Sequence, residues 1–207
     1  MNITFVAISI FLLLLLIRLI FRKVIDLPNY TGQLLTNKFP VSNLMPEEEF
    51  WKIIETTRNG ANKNYPAHCS LLTNTLSKLS NDEIIGFNRT FTLLMAKSYS
   101  YKLWEAVYSL NGGSSDDAFE YFRSWLIGQG RNKFYWALKF PRILFLIGVK
   151  ELVENYEGIA NCAYLAYQQK NDSDIALVTD IPYSDGGIMF KETEAFFKYP
   201  ELALLAW

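Results

Sequence analysis

Residues 3–21 are a run of nineteen side chains with one charge among them, Arg18. A run this apolar is either held in lipid or cleaved away, so it decides first what the chain can become. As a helix rising about 1.5 Å per residue it just crosses a hydrocarbon core about 30 Å thick. Arg18 lies one turn from its end, where the stem stays in lipid and the guanidinium reaches the headgroups. A signal peptide wants positive charge before the run and small residues after it. Nothing basic precedes this run, and Phe21-Arg22-Lys23-Val24-Ile25-Asp26 closes it. A retained transmembrane helix over residues 1–23 is therefore expected. Arg18, Arg22 and Lys23 all lie on its C-terminal side. The positive-inside tendency puts the N-terminus outside and the rest in the cytoplasm, as a single-pass membrane protein.

Beyond that run the composition is ordinary, and 207 residues suit one domain plus an appendage. Twenty Lys and Arg stand against 21 Asp and Glu, a net charge of −1. Such balance argues against a nucleic-acid partner gripped by bulk positive charge. The near-neutrality hides two parts, because the anchor carries +3 and the remainder −4. Two cysteines, Cys69 and Cys162, are too few and too separated in sequence for a disulfide scaffold or a zinc ribbon. They agree with a reducing compartment. In a cytoplasmic domain the Asn-x-Ser/Thr matches at Asn2, Asn88 and Asn171 carry no sugar. His68 is the single histidine, so a His-rich metal site is excluded, and no cofactor is implied.

Residues 24–45, with Pro28 and Pro40 and no sustained period, read as a tether. From residue 46 the apolar spacing is helical throughout. Pro46 with Glu47, Glu48 and Glu49 opens a helix that Asn59-Gly60 closes. Pro66 opens a second, carrying Leu72, Leu76 and Leu79. Ser80-Asn81-Asp82-Glu83 is a capping box before Ile84, Phe87, Phe91, Leu94 and Met95. Leu103, Val107 and Leu110 form a stripe stopped by Asn111-Gly112. Ser114 to Asp117 caps a helix that Gly128 and Gly130 end. Phe134 and Leu138 suggest another, and residues 151–170 repeat the pattern. A final helix carries Phe196 and Phe197. No two-residue alternation occurs. The expected fold is all-α, a single N-terminal transmembrane helix followed by a multi-helix globular domain over residues 46–207.

One stretch is more specific than periodicity. Leu103-Trp104-Glu105-Ala106-Val107-Tyr108 leads to Asn111-Gly112-Gly113-Ser114-Ser115-Asp116-Asp117-Ala118-Phe119-Glu120-Tyr121-Phe122-Arg123-Ser124-Trp125-Leu126-Ile127 and then Gly128-Gln129-Gly130-Arg131. It resembles the signature of a bacterial family, domain of unknown function 4240, with further likeness at Glu49-Phe50-Trp51 and at Tyr199-Pro200-Glu201-Leu202. The resemblance covers about residues 46–207 and leaves the anchor as an addition. It implies no assigned activity. Some members are fused to WGR domains, which accompany nucleic-acid-related proteins elsewhere, an association by analogy alone. Ser114 and Ala118 stand where many relatives have Cys and Gly, so a thiol mechanism there would not transfer.

Angular positions on that helix put Phe119, Phe122 and Leu126 inward and Asp116 and Arg123 on the border of the stripe. Those two are expected to be partly buried and in need of partners. One reading is a ligand pocket of Glu105, Asp116, Asp117, Arg123 and Arg131, walled by Trp104, Tyr121 and Trp125. Arginines there would suit a phosphate or carboxylate. The competing reading has Asp116 capping a helix, Arg123 tying two helices and the aromatics filling core. His68 and Cys69 diverge by about 100° on a helix, so they form no nucleophile–base pair and His68 is expected in solvent. Two functions remain. The first is a membrane-tethered module binding a protein partner or small anionic ligand, without chemistry of its own. The second is a carboxylate-dependent phosphohydrolase, with a divalent metal on Asp116, Asp117 and Glu120 or Glu105.

Overall fold

A computed structural model describes residues 8, 9, 12, 13, 42–147, 158–176, 178–182 and 185–205. All but residues 8, 9, 12 and 13 of the expected transmembrane span, and most of the tether, lie outside the described residues. Among the described residues no helix is long and apolar enough to cross a membrane. The domain is all-helical. Its elements are α1 (Glu47–Gly60), α2 (Tyr65–Leu76), α3 (Asn81–Ser98), α4 (Tyr101–Asn111), α5 (Asp116–Gly128) and α6 (Arg131–Lys139). A 3₁₀ turn (Pro141–Ile143) leads to α7 (Leu144–Ile147), followed by α8 (Gly158–Asn171), α9 (Glu192–Lys198) and α10 (Pro200–Ala203). Among the described residues the one β-type feature is an isolated bridge, Ser100 to Gly186.

Local chemistry sets most of the helix starts. Ser80 and Glu83 form the reciprocal capping box on α3, with the Ser80 amide donating to Glu83 at 2.7 Å. Asn64 caps α2, one residue earlier than Pro66 suggests, and accepts from the Ala67 amide at 3.0 Å. Glu47, Glu48 and Glu49 occupy the first turn of α1, where a carboxylate meets the unpaired amides. The part of the 151–170 helix before Gly158 lies outside the described residues. Residues 42–45, which composition assigns to the tether, lie along α3: Met45 donates to the Gly86 carbonyl at 3.1 Å and is buried.

α5 is the central element. Phe122, Arg123, Ser124, Trp125, Leu126, Ile127 and Gly128 are buried in succession. A helix buried all round is not on the surface with one inward stripe. The stripe expected from periodicity is thus too narrow, because α1, α3, α4, α6 and α8 all pack against α5. Phe50, Trp51, Phe87, Phe119, Phe122 and Phe134 fill the space between them. Phe50 stacks on Phe87 at 4.6 Å and Trp51 leans on Phe134 at 5.4 Å. Together these rings build one continuous core. Much of the aromatic content among the described residues is therefore core.

Candidate functional site

Arg123 is 3% exposed, and its environment explains how a guanidinium is tolerated there. Its Nη1 donates at 2.7 Å to the carbonyl of Met95, in the last turn of α3. That carbonyl belongs to the group a helix leaves unpaired at its C-terminus, where a cation is favoured. The guanidinium also sits 5.3 Å from the Tyr99 ring centroid and 5.1 Å from that of Phe119. Cation–π attraction strengthens when water is excluded. Arg123 therefore ties α5 to the end of α3, as the helix-tying reading requires.

The other candidates disperse. Asp116 and Asp117 are exposed in the first turn of α5, against the expectation that Asp116 is partly buried. Angle around a helix says which way a side chain points, not whether a neighbour covers it, and the first turn has no cover. Nor is Asp116 the cap: Ser115 holds that position and accepts from the Ala118 amide at 3.2 Å. Glu120 is exposed as well. Glu105 is 4% exposed on α4, and its carboxylate takes the ammonium of Lys198 on α9. Arg131, at the start of α6, reaches away to α1. Its amide donates to Glu55 at 3.0 Å and its Nη1 to Glu48 at 2.8 Å. Gly130 at φ +92° makes that turn, a conformation glycine adopts without strain.

Trp104 and Trp125 are walls of the core, not of a cleft. Trp104 stacks on Phe119 at 5.0 Å and donates its indole N–H to the Ser114 carbonyl at 3.1 Å. Trp125 packs on Phe122 at 5.7 Å, and Tyr121 is half-buried. Arg123, Trp104 and Glu105 thus serve the α3–α4–α5 side, whereas Arg131 serves α1. Among the described residues no three His, Cys, Asp or Glu side chains gather so as to hold a metal ion.

Two arrangements escape a reading of the sequence. Glu47 accepts at 2.8 Å from the Trp51 indole and also takes the Tyr135 hydroxyl. The pair Glu47–Trp51 is visible in sequence as an i,i+4 contact on α1. Tyr135 is 88 residues away and is not. Burial, followed by the bond to Glu47, raises the Tyr135 phenol far above its usual range. His68 is the second, and it corrects the expectation of a solvated side chain. It is 2% exposed, with Nε2 3.0 Å from the Thr57 hydroxyl. Thr57 also donates to the Ile53 carbonyl at 2.8 Å, which ties the imidazole to the backbone of the first helix. Burial, with Arg58 nearby, pulls the imidazole pKa down to about 4.

At the C-terminal end apolar side chains stay outside the core. Ile188 is 95% exposed, Met189 70% and Phe197 85%. Met189 and Phe197 each adjoin an aromatic that is anchored: Phe190 and Phe196 both pack on Tyr108 at 5.6 Å. Tyr108 in turn donates to Glu192 at 2.9 Å, a bond that raises its phenol pKa.

Comparison with known proteins adds a family and no activity. No curated protein and no solved structure matches the chain. Residues 45–169 match the family model described as a protein of unknown function, DUF4240, a span that stops short of the Tyr199–Leu202 likeness. With more than half its length matched, the chain belongs to the DUF4240 family.

Proposed function

We propose that this chain is a membrane-tethered helical module that binds a partner protein through its C-terminal apolar end, without chemistry of its own. The exposure of Ile188, Met189 and Phe197 around the Tyr108 aromatic cluster carries the reading. Exposed clustered apolar groups are uncommon on monomers and mark interaction sites. Asp185, Lys191, Glu192, Glu194 and Lys198 border them, so the partner surface is apolar with a rim of mixed charge. The small-anion version of the reading has less support. Arg89 holds Asp180, Arg123 the Met95 carbonyl, Arg131 Glu48 and Arg142 Glu201, so an anion at any of these four would have to displace an existing partner.

Tethering rests on residues 3–21, and the basic residues at their C-terminal side set the N-terminus outside and the domain in the cytoplasm. The test pairs both halves of the proposal in cells expressing the full chain. Alkaline carbonate should leave it in the membrane pellet, and protease added to inside-out vesicles should remove the domain. In native electrophoresis of mild-detergent extracts, a complex larger than the chain should disappear with Ile188→Ser plus Phe197→Ser. Release by carbonate overturns the tether, and a complex unaffected by the double substitution overturns the binding surface.

A further inference from the structure

Cys69 on α2 and Cys162 on α8 are 93 residues apart in sequence, yet the fold brings their thiols together. The Cys162 thiol lies 3.4 Å from the Cys69 carbonyl oxygen and 3.1 Å from that of Gly158. The Cys69 sulfur rests against the same glycine, where an added Cβ would stand only 2.6 Å from it. Gly158 thus lies against both residues: the Cys69 sulfur takes the space of its missing side chain, and the Cys162 thiol sits on its carbonyl. Each thiol shifts the ionisation of the other, as close neighbours do. We propose that Cys69 and Cys162 form an oxidative modification site, a dithiol that a small-molecule disulfide converts into a covalent bond between α2 and α8.

The two thiols differ in the way such a reaction needs. Cys69 is partly exposed, and Cys162 is fully buried. The neighbouring Cys162 thiol, aided by Tyr65, holds the Cys69 thiol below its usual range, whereas the neighbouring Cys69 and burial push Cys162 up. Cys69 is therefore the thiolate that meets reagent first. It attacks one sulfur of a disulfide RSSR, giving the mixed disulfide and releasing RS⁻, which takes the Cys69 proton. Cys162 then attacks the Cys69 sulfur, its S–H proton passing to the second RS⁻ as the S–S bond forms. Two protein thiols are oxidised and RSSR is reduced to two RSH. In a reducing compartment the pair rests as the dithiol.

The full-length chain in detergent micelles, treated with oxidised and reduced glutathione, tests this by mass spectrometry under non-reducing conditions. The expected product is about 2 Da lighter than the reduced chain, with a Cys69–Cys162 crosslinked peptide. Cys162→Ser should stop at a glutathione adduct on Cys69, and Cys69→Ser should form no adduct. In guanidinium at the same glutathione ratio the crosslink should fall roughly tenfold or more, because the unfolded chain must close a long loop. This native-against-unfolded comparison on the wild type stands even if a variant fails to fold. A lasting glutathione adduct on wild-type Cys69, no reaction of the native chain, or equal crosslinking in denaturant would each overturn the proposal.

Discussion

Arg123 and His68 show how a polar side chain becomes a structural part once its partner is found. Arg123 replaces the water that would hydrate the α3 C-terminus with a charged donor, and two aromatic rings shield it. Arg123→Ala leaves the Met95 carbonyl without that donor, and should cost about 2–3 kcal/mol in denaturant unfolding. Lysine lacks the planar guanidinium, so Arg123→Lys should recover under half of that loss. His68 makes stability depend on pH with a definite sign. Its folded pKa of about 4 lies below the ordinary imidazole value of 6.5. The unfolded state thus binds more protons between those values, and stability falls as pH drops from 6.5 toward 4. Above 6.5 the contribution is fully present. His68→Gln should flatten that part of the profile in chemical unfolding measured at stepped pH.

Helices were legible where their signals are local. The Ser80–Glu83 capping box, the glutamates of α1 and the Asn111-Gly112 stop each act within a few residues, and each appears in the structure. Ser115 rather than a carboxylate caps α5, so Ser115→Ala should lower stability by about 1 kcal/mol. Asp116→Asn should cost less, since its carboxylate meets only the exposed dipole end. Equal losses in thermal unfolding would contradict this ranking. What the sequence did not disclose is which elements surround which. α5 carries an amphipathic pattern but is enclosed by five neighbours, and Asp116 points from its uncovered first turn. The pairing of Glu47 with Tyr135 and of His68 with Thr57 arises from helix packing, which no spacing rule encodes. Of the proposed pocket, the buried arginine was readable and its partners were not.

At the scale of the molecule, an apolar leader precedes a domain of mildly acidic charge whose polar side chains mostly serve its own seams. Arg89, Arg123, Arg131 and Arg142 hold partners of its own, and its most exposed large apolar groups lie within two residues of the Phe190 and Phe196 rings that pack on Tyr108. That contrast is the ground for proposing a binding role. The most direct test places a photo-crosslinking phenylalanine analogue at position 197 of the full chain and irradiates intact cells. The account predicts a crosslink to one protein species, lost when Ile188→Ser and Met189→Ser are added and unchanged by a control label at exposed Asp117. Crosslinks to lipid alone, or a protein adduct that survives those substitutions, would contradict it.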